Sequence, residues 1–396
     1  MAKDKYISVR KSVSGFSFAN LGLFTGFADG IYNAVYSLVI LEILRSSALV
    51  GVYVAIYAAF CMGVGLFANE ILRQFSKVRV FYFSVLAMAV CYVFMSFSVR
   101  PSTFIALDFA SGVAITLSGM LIPLFMSDFS GKVGMARLNS RYHLWVNVGA
   151  LFAPMIAVAI AGYYNDNRAA FFASAMVYMA CYAFFKYFRI VAADKKISPT
   201  NPRKTLRALW RNTRLFFRKK GMTRAYAVNF GYYSLRAMRY LYVPIVVVEN
   251  GFSKDTLGLV LTLGIVPYLL LSDMMGKLVG RFGKKLWLVL GLGSFAAFSA
   301  LATFVTGYPL LAIFVLWQVS GALMESVHDL LFFDNTTKAE QSRFYGVFRT
   351  SVNLPNVVAP ALAAGCIAIF GVTSSVWFIT AAIGALSVLI LVAKKD

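Results

Sequence analysis

The chain has 396 residues, of which 60% are hydrophobic and 14% charged, and its 38 Lys and Arg against 16 Asp and Glu give a formal charge of +22. A mean hydropathy of +0.73, with a charged fraction well below the roughly 25% of soluble domains, excludes a water-soluble globule and intrinsic disorder. Cys61, Cys91, Cys181 and Cys366 each lie inside an apolar run, which excludes a disulfide scaffold and leaves them as small hydrophobes.

A bilayer core about 30 Å thick takes roughly 20 apolar residues per helix. Twelve such spans can be drawn, near residues 16 to 43, 47 to 69, 79 to 98, 102 to 127, 142 to 163, 169 to 191, 223 to 248, 256 to 275, 285 to 306, 309 to 332, 347 to 370 and 374 to 393. The first follows Lys3, Lys5, Arg10 and Lys11; it is too long for a signal-peptide core and has no cleavage site, so it is expected to stay. With the N-terminus in the cytoplasm, the outer loops hold only Arg45, Arg100, Arg168 and Lys254 of the basic residues. The positive-inside rule then puts both termini in the cytoplasm of a cell (plasma or inner) membrane protein. The positive charge obeys topology and forms no nucleic-acid face.

The longest polar interruption, residues 192–222, divides the chain into 1–191 and 223–396, each predicted to be a six-helix bundle. Within the linker, Leu206, Leu209, Trp210, Phe216 and Phe217 share one helical face, and Arg203, Lys204, Arg207, Arg211, Arg214 and Arg218 take the others. That pattern suits a helix lying on an anionic inner leaflet.

The two halves repeat one another. Ile71–Phe81, after span 2, is echoed 207 positions later by Leu278–Lys285, after span 8. Arg137, Asn147 and Ala153-Pro154 recur 206 positions on as Arg343, Asn353 and Ala359-Pro360. Two matches at nearly one spacing argue for duplicated six-helix halves.

In span count, halves, central basic loop and short turns the chain resembles the major facilitator superfamily (MFS). The most specific local feature is that family's loop motif after spans 2 and 8. Gly276 and Arg281-Phe282-Gly283-Lys284-Lys285 match it, with Gly280 where an aspartate is expected. The first copy departs further, with Arg73 at the aspartate position. The resemblance implies a gating role for Arg73, Gly276, Arg281, Gly283, Lys284 and Lys285, with Glu70 or Asp273 as a substitute acid. Gly149 to Pro154 is similar to the family's span 5 motif; because Pro360 repeats Pro154, Gly149, Pro154 and Pro360 are read mainly as packing and bending.

An ionisable group near the bilayer centre costs ~2.5 to 3.5 kcal/mol on insertion scales, so each needs water or a partner. The interior ones are Asp29 in span 1, Asp108 in span 4, Arg236 and Arg239 in span 7, and Glu325, His328 and Asp329 in span 10. In the MFS arrangement, spans 1, 4, 7 and 10 line the central cavity. Gly22, Gly26, Asp29, Asn33 and Tyr36 recur at three- and four-residue steps, as do Asn229, Tyr232, Tyr233, Arg236, Arg239 and Tyr240, and Gln318, Glu325, His328 and Asp329 repeat the device. Such stripes read as walls of a wet polar pathway. Arg236 stands 207 positions after Asp29, so an ion pair between halves is expected. The arginines suit an anionic or zwitterionic solute. Asp29 and Glu325 are the candidate proton carriers. Asp108, where many MFS exporters carry an arginine, either joins the pathway or lies shallow near the outer mouth.

The expected fold is an all-α membrane protein with twelve transmembrane helices in two pseudo-symmetric six-helix bundles. The expected function is a secondary active transporter of a small solute by alternating access, coupled to protons and working as a monomer. A multidrug/proton antiporter for lipophilic compounds is the alternative, and a transport-dead scaffold or lipid scramblase a third class. With no P-loop, no Gly-x-Ser-x-Gly, no His-Glu-x-x-His and two histidines, His143 and His328, neither enzyme activity, metal nor cofactor is expected.

Overall fold

A computed structural model describes residues 15–129, 134–188, 202–325 and 327–393. The first six helices are α1 Gly15–Leu44, α2 Ser47–Gln74, α3 Lys77–Ser96, α4 Pro101–Phe129, α5 Gly134–Tyr163 and α6 Ala169–Phe188. The linker carries α7 Pro202–Arg218. There follow α8 Met222–Glu249, α9 Lys254–Leu263, α10 Val266–Phe282, α11 Lys284–Phe304, α12 Tyr308–Glu325, α13 Leu330–Asp334, α14 Lys338–Asn353, α15 Pro355–Phe370 and α16 Val376–Val392, with a 3₁₀ turn at Thr373–Ser375. No strand occurs among the described residues. Among the described residues, eleven spans are long and apolar enough to cross a bilayer. The twelfth, α8, has the length, 28 residues, but its arginines lower its hydropathy. Twelve membrane helices therefore stand as the sequence predicts.

Among the described residues, three of the twelve spans are interrupted. Span 8 breaks at Gly264-Ile265, between α9 and α10, where Pro267 begins the next helix. Span 11 breaks at Leu354, ahead of Pro355 at the start of α15. Proline supplies no N–H and its ring crowds the preceding turn, so both helices restart there. Span 10 ends as α12 at Glu325 and resumes as α13 at Leu330, leaving His328 and Asp329 in the turn. Hydropathy runs straight through such breaks, which explains their absence from the sequence reading. Pro154 and Pro360 both lie inside helices, α5 and α15.

The described chain packs as two compact units, one within Met1–Tyr32 and Gly63–Pro199, the other within Asn33–Met62 and Thr200–Asp396. In the first, α3 lies against α4 and α6 around Phe81, Phe125 and Phe185, with ring centroids 4.5 to 5.8 Å apart. α1 crosses α5 on small residues. A Cβ on Gly22 would stand 2.6 Å from the Tyr142 carbonyl oxygen, one on Gly26 would strike that of Val146, and one on Gly149 would meet the Phe27 nitrogen at 2.9 Å. Gly22 and Gly26 thus belong to a tight helix contact and not to the wall of a wet pathway, a correction to the stripe reading. Gly149 serves the same contact from the other side. With no hydrophobic force between helices in lipid, close approach at small residues is what holds them together.

In the second unit, α11 packs on α12 and α16, and α8 on α15 and α16. Its core holds Phe295, Phe314, Trp317 and Trp377, with centroids 5.1 to 5.6 Å apart; the Trp317 indole N–H donates to Ser299 Oγ at 3.0 Å. The hairpin between α1 and α2 also belongs here. Ser47 Oγ donates to Glu249 at 2.8 Å and bonds Thr373 Oγ1 at 2.9 Å. A Cβ on Gly51 would meet the Pro360 oxygen at 2.7 Å and Ala364 at 3.0 Å, so α2 seats directly on α15.

α7 is docked by one residue above all. Phe216 is fully buried with Met222, Ala225, Phe332, Phe344, Val347 and Phe348. Trp210 is 77% exposed, and Arg211, Arg214 and Arg218 are exposed too.

Candidate functional site

The second unit gathers the largest group of predicted pathway residues. On α8, Asn229, Tyr232, Tyr233, Arg236, Arg239 and Tyr240 follow the helical repeat. His328, in the turn below α12, stacks on Tyr232 at 4.2 Å and 15° and meets Tyr233 edge-on at 5.6 Å. Its Nδ1 lies 2.6 Å from Asn229 Oδ1 and 3.2 Å from Asp329. Asn229 Nδ2 donates to Ser351 Oγ at 2.8 Å, and Ser351 donates onward to the Phe348 carbonyl at 2.5 Å. With its NH2 committed to Ser351, the amide turns its carbonyl to His328, so Nδ1 is the donor. Asn229 and His328 are both buried, and this chain fixes the imidazole where span 10 breaks.

Arg236 lies 5.8 Å from the centre of the Tyr233 ring, and Glu325 is close enough to act on Arg236, Tyr232 and Tyr268 through its charge. Arg239 is 5% exposed. It is held between Tyr240 and Tyr268 at 5.2 and 5.7 Å, an arrangement that stabilises a desolvated cation. One Nη donates to the Leu261 carbonyl at 3.4 Å, in the last turn before the Gly264 break. Its Nε–H and the Oε1 of Gln318, which is 3% exposed, have no hydrogen-bond partner. Gln318 packs on Gly264, where a Cβ would sit 2.9 Å from its Cγ. A buried donor and a buried acceptor left open beside a helix break are suited to a polar solute that supplies both.

In the first unit, Tyr32 donates to the fully buried Asp108 at 3.0 Å, and Tyr178 donates to Asp29, whose residue is exposed. Asp108 is thus enclosed by its own unit. Asn33, half-buried on α1, falls in the second unit. Asp29 and Arg236 belong to different units.

At the loop motif, Lys284 pairs with Asp334 of α13, Arg281 lies over Phe282 at 5.2 Å, and Gly283 takes φ 77°, a left-handed conformation that favours glycine. Lys285 is exposed. Asp334 was not anticipated as a partner. The side chains of Arg73, Glu70 and Asp273, and the surroundings of Gly276, lie outside the described residues.

Sequence reasoning missed Tyr92, Tyr178, Tyr268 and Ser351. Tyrosines on spans 3, 6 and 8 carry no periodic polar signal, and Ser351 reads as one small residue among many.

The sequence model of the Major Facilitator Superfamily matches residues 18–248 and 228–396. No curated protein sequence matches the chain. Solved structures similar to it include the nucleoside transporter NupG, 12% identical, with a TM-score of 0.72 over 95% of this chain and 98% of that one. A D-xylose-proton symporter is 16% identical, with a TM-score of 0.72 over 96% of each chain. At such identities the likeness is one of fold. The family match runs across both units and nearly every described helix, and on that ground the chain belongs to the major facilitator superfamily, as a multi-pass membrane transporter and not an enzyme.

Proposed function

We propose that the protein is a secondary active transporter that moves a small anionic or zwitterionic solute by alternating access, driven by a proton gradient. Residues 1–191 and 223–396 would act as the two rocking halves, and both termini would lie in the cytoplasm of a cell membrane whose inner leaflet is anionic. The observation that carries the reading is the α8 face, where two arginines are held among tyrosines inside the unit and Arg239 and Gln318 keep an open donor and acceptor. A guanidinium keeps its charge and offers a planar fork, which matches a carboxylate or phosphate. Tyr232, Tyr233, Tyr240 and Tyr268 would line the solute's skeleton, and Glu325 and His328 would adjust the charge beside it. That similar folds belong to a nucleoside transporter and a proton symporter supports a polar cargo and proton coupling.

The density of aromatic rings around the arginines supports lipophilic drugs as a second class of cargo. Thermal-shift screening of the purified protein against organic acids, zwitterions and lipophilic cations separates the two, because a ligand of the folded state raises its melting temperature. Acids or zwitterions should stabilise the wild type, and Arg239→Lys should lose that effect. Stabilisation by lipophilic cations alone would overturn the anion reading.

A further inference from the structure

One end of the first unit carries a groove between α3 and α4. Phe83, Val90, Phe94 and Phe97 are exposed at seven-, four- and three-residue steps along α3, as Thr103, Ala106 and Ala110 are along α4, so each helix turns one stripe outward to lipid. Where the stripes meet, Phe94, Phe97, Val99, Arg100, Thr103 and Leu107 line a groove of about 410 Å³, a volume in the range of ligand sites. Its walls are apolar and its rim is cationic. Arg100 is exposed there. Arg168, just ahead of α6, donates through Nη1 at 2.8 Å to the carbonyl of Ser98, which also lines the groove, and its Nε–H is buried without a hydrogen-bond partner. Phe97 meets Phe172 of α6 edge-on at 6.1 Å. Asp166 accepts the Arg168 backbone N–H at 2.9 Å, so two arginines stand against one carboxylate and the rim keeps a positive excess. In the same loop Tyr163 and Tyr164 are exposed, with ring centroids 5.0 Å apart, as side chains at the headgroup level of a bilayer commonly are.

Arg45, Arg100, Arg168 and Lys254 are the basic residues of the loops that the proposed topology puts outside, where such residues are disfavoured. Two of them converge on one groove, and topology gives no reason for that. The geometry points to a binding site for an anionic phospholipid of the outer leaflet. One acyl chain lies along Phe94, Phe97 and Leu107, and the phosphate sits at the rim by Arg100 and Arg168. The leaflet is taken from the proposed topology; nothing is taken from the transport reading. The groove opens sideways, so a lipid enters it without leaving the bilayer. A guanidinium meets a phosphate through parallel N–H bonds, and Thr103, one turn on from Arg100, adds a hydroxyl to the same lining. A zwitterionic lipid would bring its own ammonium to a rim already positive, so a singly charged headgroup such as phosphatidylglycerol fits better.

The test uses the full-length protein, delipidated in a neutral detergent. Phosphatidylglycerol, phosphatidylcholine and glycerol phosphate are added in turn, and both the lipid retained in native mass spectra and the melting temperature are read. Arg100→Gln removes the charge at an exposed position, and Thr103→Trp fills the groove from its lipid-facing side; both should melt like wild type without lipid. Because basic residues elsewhere also attract phosphatidylglycerol, the signal is the difference between wild type and variants. Wild type should retain one more phosphatidylglycerol than either variant and gain on the order of a few °C more from it, with a smaller gain from phosphatidylcholine and none from glycerol phosphate. Equal retention and equal gain in wild type and Arg100→Gln would overturn the site, as would a gain from phosphatidylcholine as large as that from phosphatidylglycerol. A gain reproduced by glycerol phosphate would overturn the lipid in favour of a free phosphate.

Discussion

Replacing Asn229 by alanine should uncouple the broken span 10 from α8 and α14. The amide is 0% exposed and joins His328 at 2.6 Å to Ser351 at 2.8 Å. Its loss strands one donor and one acceptor, each worth about 1 to 3 kcal/mol when buried without a partner. Two features hold the sum toward the low end. His328 Nδ1 retains Asp329 at 3.2 Å, and Ser351 still donates to the Phe348 carbonyl. We expect about 2 to 3 kcal/mol, measured by reversible unfolding in mixed micelles. The sharper assay is a double-mutant cycle with His328→Phe, which keeps a ring against Tyr232 and removes the hydrogen bond. Coupling of about 1 to 2 kcal/mol between the two positions is expected. Additivity within about 0.5 kcal/mol, the behaviour of independent sites, would refute the hydrogen-bonded chain.

Phe216→Ala should cost about 3 to 5 kcal/mol by emptying a buried aromatic site where Phe344 meets its ring edge-on at 5.9 Å. Hydrogen exchange over α7 should accelerate, and unchanged protection would contradict the docking. Glu340, at the start of α14, has its carboxyl lowered from 4.5 to about 2, first by Lys219 and then by the Thr337 backbone and hydroxyl. A depressed carboxyl stabilises the fold fully above its ordinary value and ceases to do so as pH falls toward its folded value. The stability difference between wild type and Glu340→Gln should therefore be complete at neutral pH and shrink between pH 4.5 and about 2; a difference independent of pH would contradict the pairing. Gly51→Leu should prevent α2 from seating on α15, where only a hydrogen fits beneath the Pro360 carbonyl. Thiol labelling at an engineered Ser47→Cys should then rise, and equal labelling in both backgrounds would argue against the contact.

Much of the architecture is legible because hydropathy alone sets span length. The arginines that make α8 the least apolar span also marked it as a polar face in the sequence. The amphipathic period of the linker likewise foretold α7, and Phe216 on its apolar face is the residue that docks. What stayed hidden depends on close contact. Gly22 and Gly26 share a face with Asp29, but only the approach of α5 shows that they pack and do not line water. Pro267 and Pro355 sit inside apolar runs, so hydropathy draws a continuous helix where the backbone restarts. Tyr178 looks like ordinary aromatic core until its hydroxyl is placed on Asp29.

The central claim is tested most directly by solute accumulation in proteoliposomes under an imposed pH gradient, using a solute that stabilises the purified protein. Wild type should concentrate it, a protonophore should abolish the accumulation, and Asp29→Asn should insert and fold normally but fail to concentrate. Accumulation that is indifferent to the gradient, or equal in wild type and Asp29→Asn, would contradict the account.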